Sequence, residues 1–421
     1  MLNMPRAAAP GPRPSPAAAY TLWVDACAAA GWRGTPAAED VQVRDGLGRV
    51  TAAPVRARWP APRSACAAMD GIAIKAGPAG AADVWQLAAA SFTWVDTGDL
   101  MPAGMDTVVE RERVRLRADG GAQITGPAPH GLNVRAAGED FPAGELLIPA
   151  GHCLRPADLA AAAAAGHATV EVARRPVAAI IPTGDEIRPA GSALGPGDVT
   201  DSNSLLLASR AGETGARPLV SDVQPDDPDA IASEIGRAAL AADIVLVIAG
   251  SSAGRSDHTA AVIARAGGLA VRGVAVRPGH PVLLGYVQPD RTRAGQNTTA
   301  VPVIGIPGYP LAAAVTFELF AVPLLTALQG LQPADRVWQR AQLACDWASS
   351  PDVEDWVPVS LAPVPAGQHP DCLAVATPSR RGAGSISRLI RAHAWWPIPI
   401  GQGKFAHGEH INVQPIPSGP A

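Results

Sequence analysis

Short apolar runs alternate with stretches of helical spacing between residues 176 and 330. This is the most regular patterning in the chain. Strands are expected over Val177–Pro182, 217–223, 243–249 and 301–306, with helices starting near Ser202, Asp227, Asp257 and Pro310. Runs that are apolar on both faces and separated by helices predict a doubly wound, mostly parallel sheet covered on each side. Every strand runs into a polar or glycine-rich turn: Thr183-Gly184-Asp185-Glu186, 222–227, Gly250-Ser251-Ser252-Ala253-Gly254, and Pro307-Gly308-Tyr309-Pro310. Such loops gather at the carboxyl edge of an open α/β sheet, and a ligand crevice is expected where strand order reverses.

The flanking regions follow other patterns. Residues 56–140 show short alternating runs broken by Gly and Pro, which predicts an inserted small β domain. It interrupts a mixed α/β domain expected from 18–55 and 141–175, whose second part holds a helix from Pro156 and a strand after His167. A C-terminal β domain is expected over 331–421, from β-like runs at 356–361, 373–376, 394–400 and 410–414. Residues 1–17, rich in proline, read as a disordered tail. The fold class is α/β plus β, with several domains.

Composition narrows the possible partners. Lys+Arg number 34 against 38 Asp+Glu, a net charge of −4, so no global positive field is present to hold nucleic acid or anionic lipid. The longest purely apolar stretch, from Leu159 to Ala165, is far shorter than a membrane span, and no membrane partner is expected. The proline-rich start lacks the apolar core of a secretory signal. The five cysteines, Cys27, Cys66, Cys153, Cys345 and Cys372, form no CxxC pair, which fits a reducing compartment and a cytoplasmic location.

Candidate chemistry sits at predicted turns. Carboxylates beside glycine recur at Asp70-Gly71, Gly138-Glu139-Asp140 and Gly184-Asp185-Glu186, and Asp201 follows Gly197. Oxygen ligands on loop tips suit Mg2+, although a single Asp-Gly pair is more often an ordinary β-turn. The segment from Gly250 to Asp257 joins a strand to a helix, and its N–H groups are placed for an oxyanion; Asp257 is equally a helix cap. Arg272 and Arg277 are expected to bracket a strand leading into Pro278-Gly279-His280-Pro281, with their charges beside a rigid turn. Residues 379–388 combine arginines, serines and glycines, the last three being Ile386, Ser387 and Arg388. Such a run either wraps an anion or is a solvated loop.

In order along the chain, these pieces resemble the molybdopterin molybdenumtransferase family, the MoeA and gephyrin E-domain group. Ala67-Ala68-Met69-Asp70-Gly71 is similar to its (S)AMDG, Thr97-Gly98 with Pro102-Ala103-Gly104 to its TGxxxPxG, and Asn133-Val134-Arg135 with Gly138-Glu139-Asp140 to its NIR…GED. Thr183 to Glu186, Asp201-Ser202-Asn203 and the two Pro-Gly-x-Pro turns complete the series. The chain departs from the family at Ala249-Gly250-Ser251-Ser252, where GGVS is common, and at Arg277-Pro278-Gly279-His280-Pro281, where KPGKP is common. The third departure is Pro307-Gly308-Tyr309-Pro310, where PGNP is common.

The resemblance implies an elongated multidomain subunit that forms a homodimer. The implied activity is that of a transferase placing molybdenum from molybdate on adenylylated molybdopterin, with Mg2+ as cofactor and AMP released. It implies Asp70, Asp140, Glu186, Asp257 and Arg277 as catalytic residues, and Glu186, Asp226 and Asp257 around the metal. Substrate contacts are implied for Thr97, Thr183, Gly184, Asp185, Asp201 and Asn203, and for Gly250, Ser251, Ser252 and Gly254. Further along, Arg272, His280, Pro307, Gly308 and Tyr309 join them, with Ser385, Ser387 and Arg388 in the last module. Tyr309 reads either as a ring that stacks on substrate or as packing. A molybdoenzyme client is the implied recipient. Two other readings stay open: a non-catalytic molybdopterin carrier of the same fold, and a tungstate-preferring paralogue.

Overall fold

The computed structural model describes residues 13–34, 37–76, 84–249, 253–289, 299–332, 337–363, 374–380, 382 and 384–416. Two compact units divide the chain: a body made of residues 1–36 with 174–421, and a second unit, 37–173.

Helix α1 (Pro16–Ala29) starts with Ser15 accepting from the Ala18 N–H, and with proline at its first position, where no hydrogen bond is lost. It departs from the expected grouping of 18–55 with 141–175, because it packs into the core of the body. Trp23 is fully buried there and its Nε1 donates to the Gly285 carbonyl at 2.6 Å. Residues 13–15, expected within a disordered tail, are placed as well: the Pro14 carbonyl accepts from the Ala275 N–H. Burial pushes the neighbouring Cys27 thiol up to about 12, so it stays protonated and inert.

The second unit contains β1 (Ala38–Gln42), β2 (Gly71–Ile74), β3 (Phe92–Val95), β4 (Thr107–Glu110), α2 (Pro156–Ala164) and β5 (Thr169–Ala173), among shorter strands. β2 lies between β3 and β4, antiparallel to both, and β1 pairs antiparallel with β5. Ile72, Ile74, Val109 and Ile124 form one small core, and Val170, Val172, Ile148 and Leu154 another. Asp158 accepts from both the Arg155 backbone N–H and its guanidinium and also meets His152, which ties down the start of α2.

The body resumes with β6 (Val177–Pro182), α3 (Asn203–Glu213), β7 (Arg217–Val220), α4 (Pro228–Ala239), β8 (Ile244–Ala249), α5 (Ala253–Ala266) and β9 (Gly267–Arg272). After them come β10 (Val276–Arg277), β11 (Leu283–Val287), β12 (Val301–Pro307) and α6 (Pro310–Thr316). The sheet order is β7-β6-β8-β12-β11-β9, parallel through β12 and antiparallel beyond it. Ile180 and Leu246 on one face and Ile181 and Val247 on the other feed separate cores, which is why these runs are apolar throughout instead of alternating. Chain order reverses between β6 and β8, the place where a ligand crevice is expected.

A π-helical turn, Phe317–Ala321, follows α6, and Pro323 just beyond it has no N–H to donate to the preceding turn. The whole helical run Pro310–Ala327 is long and apolar enough to cross a membrane. Its side chains Leu311, Phe317, Phe320 and Leu324 instead fill the core under β12.

In the last module β13 (Gln339–Leu343), β14 (Glu354–Pro363), β15 (Ala374–Pro378), α7 (Ile386–Arg391), β16 (Ala394–Ile398) and β17 (His410–Pro415) appear in order. The sequence of pairings β14-β15-β13-β17-β16 closes when β16 meets β14, making a small barrel around Val359, Trp396 and Val413. β10 joins this barrel by pairing parallel with β14, Arg277 opposite Asp355. Arg272 and Arg277 therefore do not bracket one strand as expected: the first ends β9 in the α/β sheet, the second belongs to the barrel. The break falls at Gly273, whose φ of 79° lies in the left-handed region.

Candidate functional site

The loops at the reversal point are held together largely by backbone groups. Thr183, directly after β6, is buried, and both its N–H and its hydroxyl donate to the Ile248 carbonyl at 3.1 and 2.9 Å. Gly184 follows with φ of 141°, and an added Cβ there would meet Ile187 Cγ1 at 2.7 Å and Glu186 Oε2 at 3.1 Å. Only glycine passes this bend with the Glu186 carboxylate folded over it. The Gly184 N–H donates to the Gln224 carbonyl, and Asp185 Oδ1 accepts from the Asp226 N–H at 3.1 Å. Loops after β6 and β7 are thus laced together, placing Asp185, Glu186 and Asp226 in one neighbourhood.

The start of α3 joins them. Asp201 Oδ1 accepts from the Ser204 N–H, filling the capping role that Ser202 would be expected to take, and the Asp201 N–H donates to the Arg188 carbonyl. Asn203 is only 8% exposed; its Nδ2 donates to the Gly308 carbonyl at 2.7 Å, tying α3 to the turn after β12. A second tie lies deeper, where Arg210 Nε and Nη2 donate to both carboxylate oxygens of Glu318 in the π-turn. Pro307 ends β12, and Tyr309, exposed, precedes Pro310 at the start of α6.

In the barrel, Ser385 and Ser387 hydroxyls lie 2.9 Å apart, and Arg388 Nη1 donates to the Gly382 carbonyl at 2.5 Å. Gly250, Ser251 and Ser252 lie outside the described residues. So do the side chains around Asp257, whose backbone, with that of Gly254, is already inside α5. The helix starts at Ala253, one turn earlier than expected, so Asp257 is not its cap.

Arg277 was expected to face substrate anions. Its Nε and Nη2 are instead engaged by Asp355, a residue 4% exposed that also accepts from the Ser349 hydroxyl at 2.9 Å. This pairing raises the guanidinium pKa further. A carboxylate in the apolar run 355–359 was the available sign that a cation would be needed there. His280 is exposed and held below its ordinary pKa, first by desolvation and then by the charge of Arg13, so it is neutral at pH 7. Arg272 is exposed at the end of β9.

The second unit brings together Asp70 and Thr97. Asp70 Oδ1 accepts from the Thr97 hydroxyl and N–H, both at 2.7 Å. These bonds, with a smaller contribution from Arg111, hold the exposed carboxyl below the usual range. Asn133 donates to the Val108 carbonyl and to Glu110. Asp140 is exposed, with its N–H on the Ala61 carbonyl. Among the described residues, no three His, Cys, Asp or Glu side chains are grouped closely enough to cage an ion.

A strand-order reversal with Thr183, Asp185 and Asn203 tied together on the adjoining loops defines a doubly wound α/β protein carrying a small C-terminal barrel. Residues 17–166 match the MoeA N-terminal region (domain I and II), 179–327 the probable molybdopterin binding domain, and 340–416 the MoeA C-terminal region (domain IV). The chain is 30% identical over 392 residues to the molybdopterin molybdenumtransferase of Nostoc sp., covering 88% of this chain and 87% of that one. It is 31% identical over 281 residues to molybdopterin molybdenumtransferase 2 of Mycobacterium tuberculosis, covering 65% and 66%. The solved molybdopterin biosynthesis MoeA protein from Pyrococcus horikosii superposes with a TM-score of 0.76 at 28% identity, over 95% of this chain and 98% of that one. The chain belongs to the molybdopterin molybdenumtransferase (MoeA) family, transferases of molybdenum cofactor biosynthesis.

Proposed function

We propose that this protein places molybdenum from molybdate on adenylylated molybdopterin and releases AMP. The observation that carries the reading is the lacing of the loops after β6 and β7 with the start of α3 and the Pro307-Gly308-Tyr309 turn, in a chain of this family. Adenylyl transfer to water breaks the phosphoanhydride and gives AMP and the pterin monophosphate; the two dithiolene sulfurs, which belong to the substrate, bond to molybdenum as one oxygen of molybdate leaves with the two thiol protons as water. Such chemistry asks for positioning and charge neutralisation more than for a protein nucleophile.

We assign Thr183, Gly184, Asp185 and Asn203 to substrate binding, with Ser385, Ser387 and Arg388 at its anionic end. Asp70, Asp140 and Thr97 of the second unit belong to the same proposal. Asp70 is kept ionised by Thr97, which suits a group that orients water or a cation. Glu186, Asp226 and Asp257 would hold Mg2+; their donors are all oxygen, and this ion needs only one or two carboxylates when substrate phosphates complete its shell. When bound, it neutralises charge on the phosphoanhydride oxygens. Arg277, anchored on Asp355, acts by positioning the Pro278-Gly279-His280-Pro281 turn.

Purified protein mixed with adenylylated molybdopterin, Mg2+ and molybdate should release AMP, and omitting either the metal ion or molybdate should stop it. Substrate binding with no molybdate-dependent AMP would overturn the assignment. The proposal includes a homodimer, to be checked by light scattering, a cytoplasmic location, and a molybdoenzyme as recipient of the product.

A further inference from the structure

The turn after β12 carries a feature that metal insertion does not itself require. Tyr309 is 48% exposed although it sits between the fully buried β12 and α6. Pro310 fixes the backbone immediately after it, so the ring is carried on a stiff turn. One edge of the ring faces Gly384, where an added Cβ would stand 3.3 Å from Tyr309 Cδ1 and 3.5 Å from Cε1. Glycine at 384 leaves room for the ring, and nearly half of the residue's surface remains open.

A second observation is independent of the ring. Asn203 donates through Nδ2 to the carbonyl of Gly308, the residue before Tyr309. Its Oδ1 is buried and has no partner among the described residues. A buried acceptor without a donor costs stability, which a ligand N–H would recover. Ser385, Ser387 and Arg388 begin one residue after Gly384 and offer hydroxyl and guanidinium groups to an anion.

We infer that Tyr309 is a stacking platform for a flat nitrogen heterocycle of the substrate, with Asn203 Oδ1 accepting from its ring or amino N–H and the Ser385–Arg388 segment meeting the attached phosphate. The inference rests on the proposed function and adds to it a specificity-determining residue at the position where the family commonly has asparagine. Pterin and adenine share the required chemistry, and the test separates them.

Tyr309→Ala should raise KM for adenylylated molybdopterin about tenfold while kcat changes by less than about twofold, the size expected for losing one stacked ring. Tyr309→Phe should keep the wild-type KM, because the ring suffices. Fluorescence titrations with AMP alone and with a pterin monophosphate alone identify the occupant: the ligand whose affinity drops in Tyr309→Ala is the one that stacks.

An unchanged KM in Tyr309→Ala, or a loss in Tyr309→Phe equal to that in Tyr309→Ala, overturns the platform. Equal affinities of wild type and Tyr309→Ala for both ligands do so too. If the wild type releases no AMP, the proposed function fails instead, and the two titrations still judge the platform.

Discussion

The body and the second unit hold their acidic turns by different means. In the body, strands buried on both faces fix the loop ends, and Thr183, Gly184 and Asp185 are then stitched to neighbouring loops mainly by main-chain groups. In the second unit the strands are short, and Asp70 is positioned by two hydrogen bonds from the single residue Thr97 on an exposed turn. The first arrangement inherits its rigidity from the sheet and tolerates loss of one polar contact. The second stands or falls on individual side chains, so substitutions should separate stability from activity there more cleanly.

The comparison can be broken most sharply at Arg277. If it is a tie between β10 and the barrel, Arg277→Met strands the buried Asp355 carboxylate and should cost about 3 kcal/mol in denaturant unfolding. Unchanged stability with lost AMP release would make Arg277 a free catalytic cation instead. Next in size, Asp70→Ala should lower kcat/KM by about 10²-fold with no change in Tm, since the side chain is exposed; a matching loss of stability would show that the two units hold their acidic turns alike.

Asp158→Ala removes the bonds to the Arg155 backbone and guanidinium and should cost about 1–2 kcal/mol. Arg155, chiefly, depresses the Asp158 pKa, so its contribution is present above the ordinary carboxylate range and fades as the pH falls toward the depressed value. A wild-type stability advantage over Asp158→Ala that persists undiminished at the lowest accessible pH would contradict this. The smallest effect is expected for Thr97→Val. Losing the hydroxyl lets the Asp70 pKa rise toward its ordinary value, so the acid limb of the activity profile moves to higher pH; an unmoved limb would show that Asp70 ionisation does not control it.

Much of the body could be read from the chain. β6 falls on Val177–Pro182 as expected, and α4 begins after Asp227, which caps it by accepting from the Asp229 and Ala230 N–H groups. Both depend on periodicity and local capping, which neighbouring residues determine. The home of α1 was not readable, because an apolar stripe ending in Trp23 and Cys27 fits any available core. The helix expected to begin near Asp257 starts at Ala253 instead, since a Ser/Gly run offers several equally good helix starts.

By itself the sequence determined the strand and helix pattern, the order of the acidic and Pro-Gly turns, and with them the family. Those features follow from local spacing, where each residue's preference is set by its near neighbours. Tertiary structure alone decided that Asp355 takes Arg277, that Asn203 hangs on Gly308, and that Gly384 makes room for Tyr309. These partners lie tens of residues apart, and a buried charge or amide finds its counterpart only when packing has chosen which loops meet.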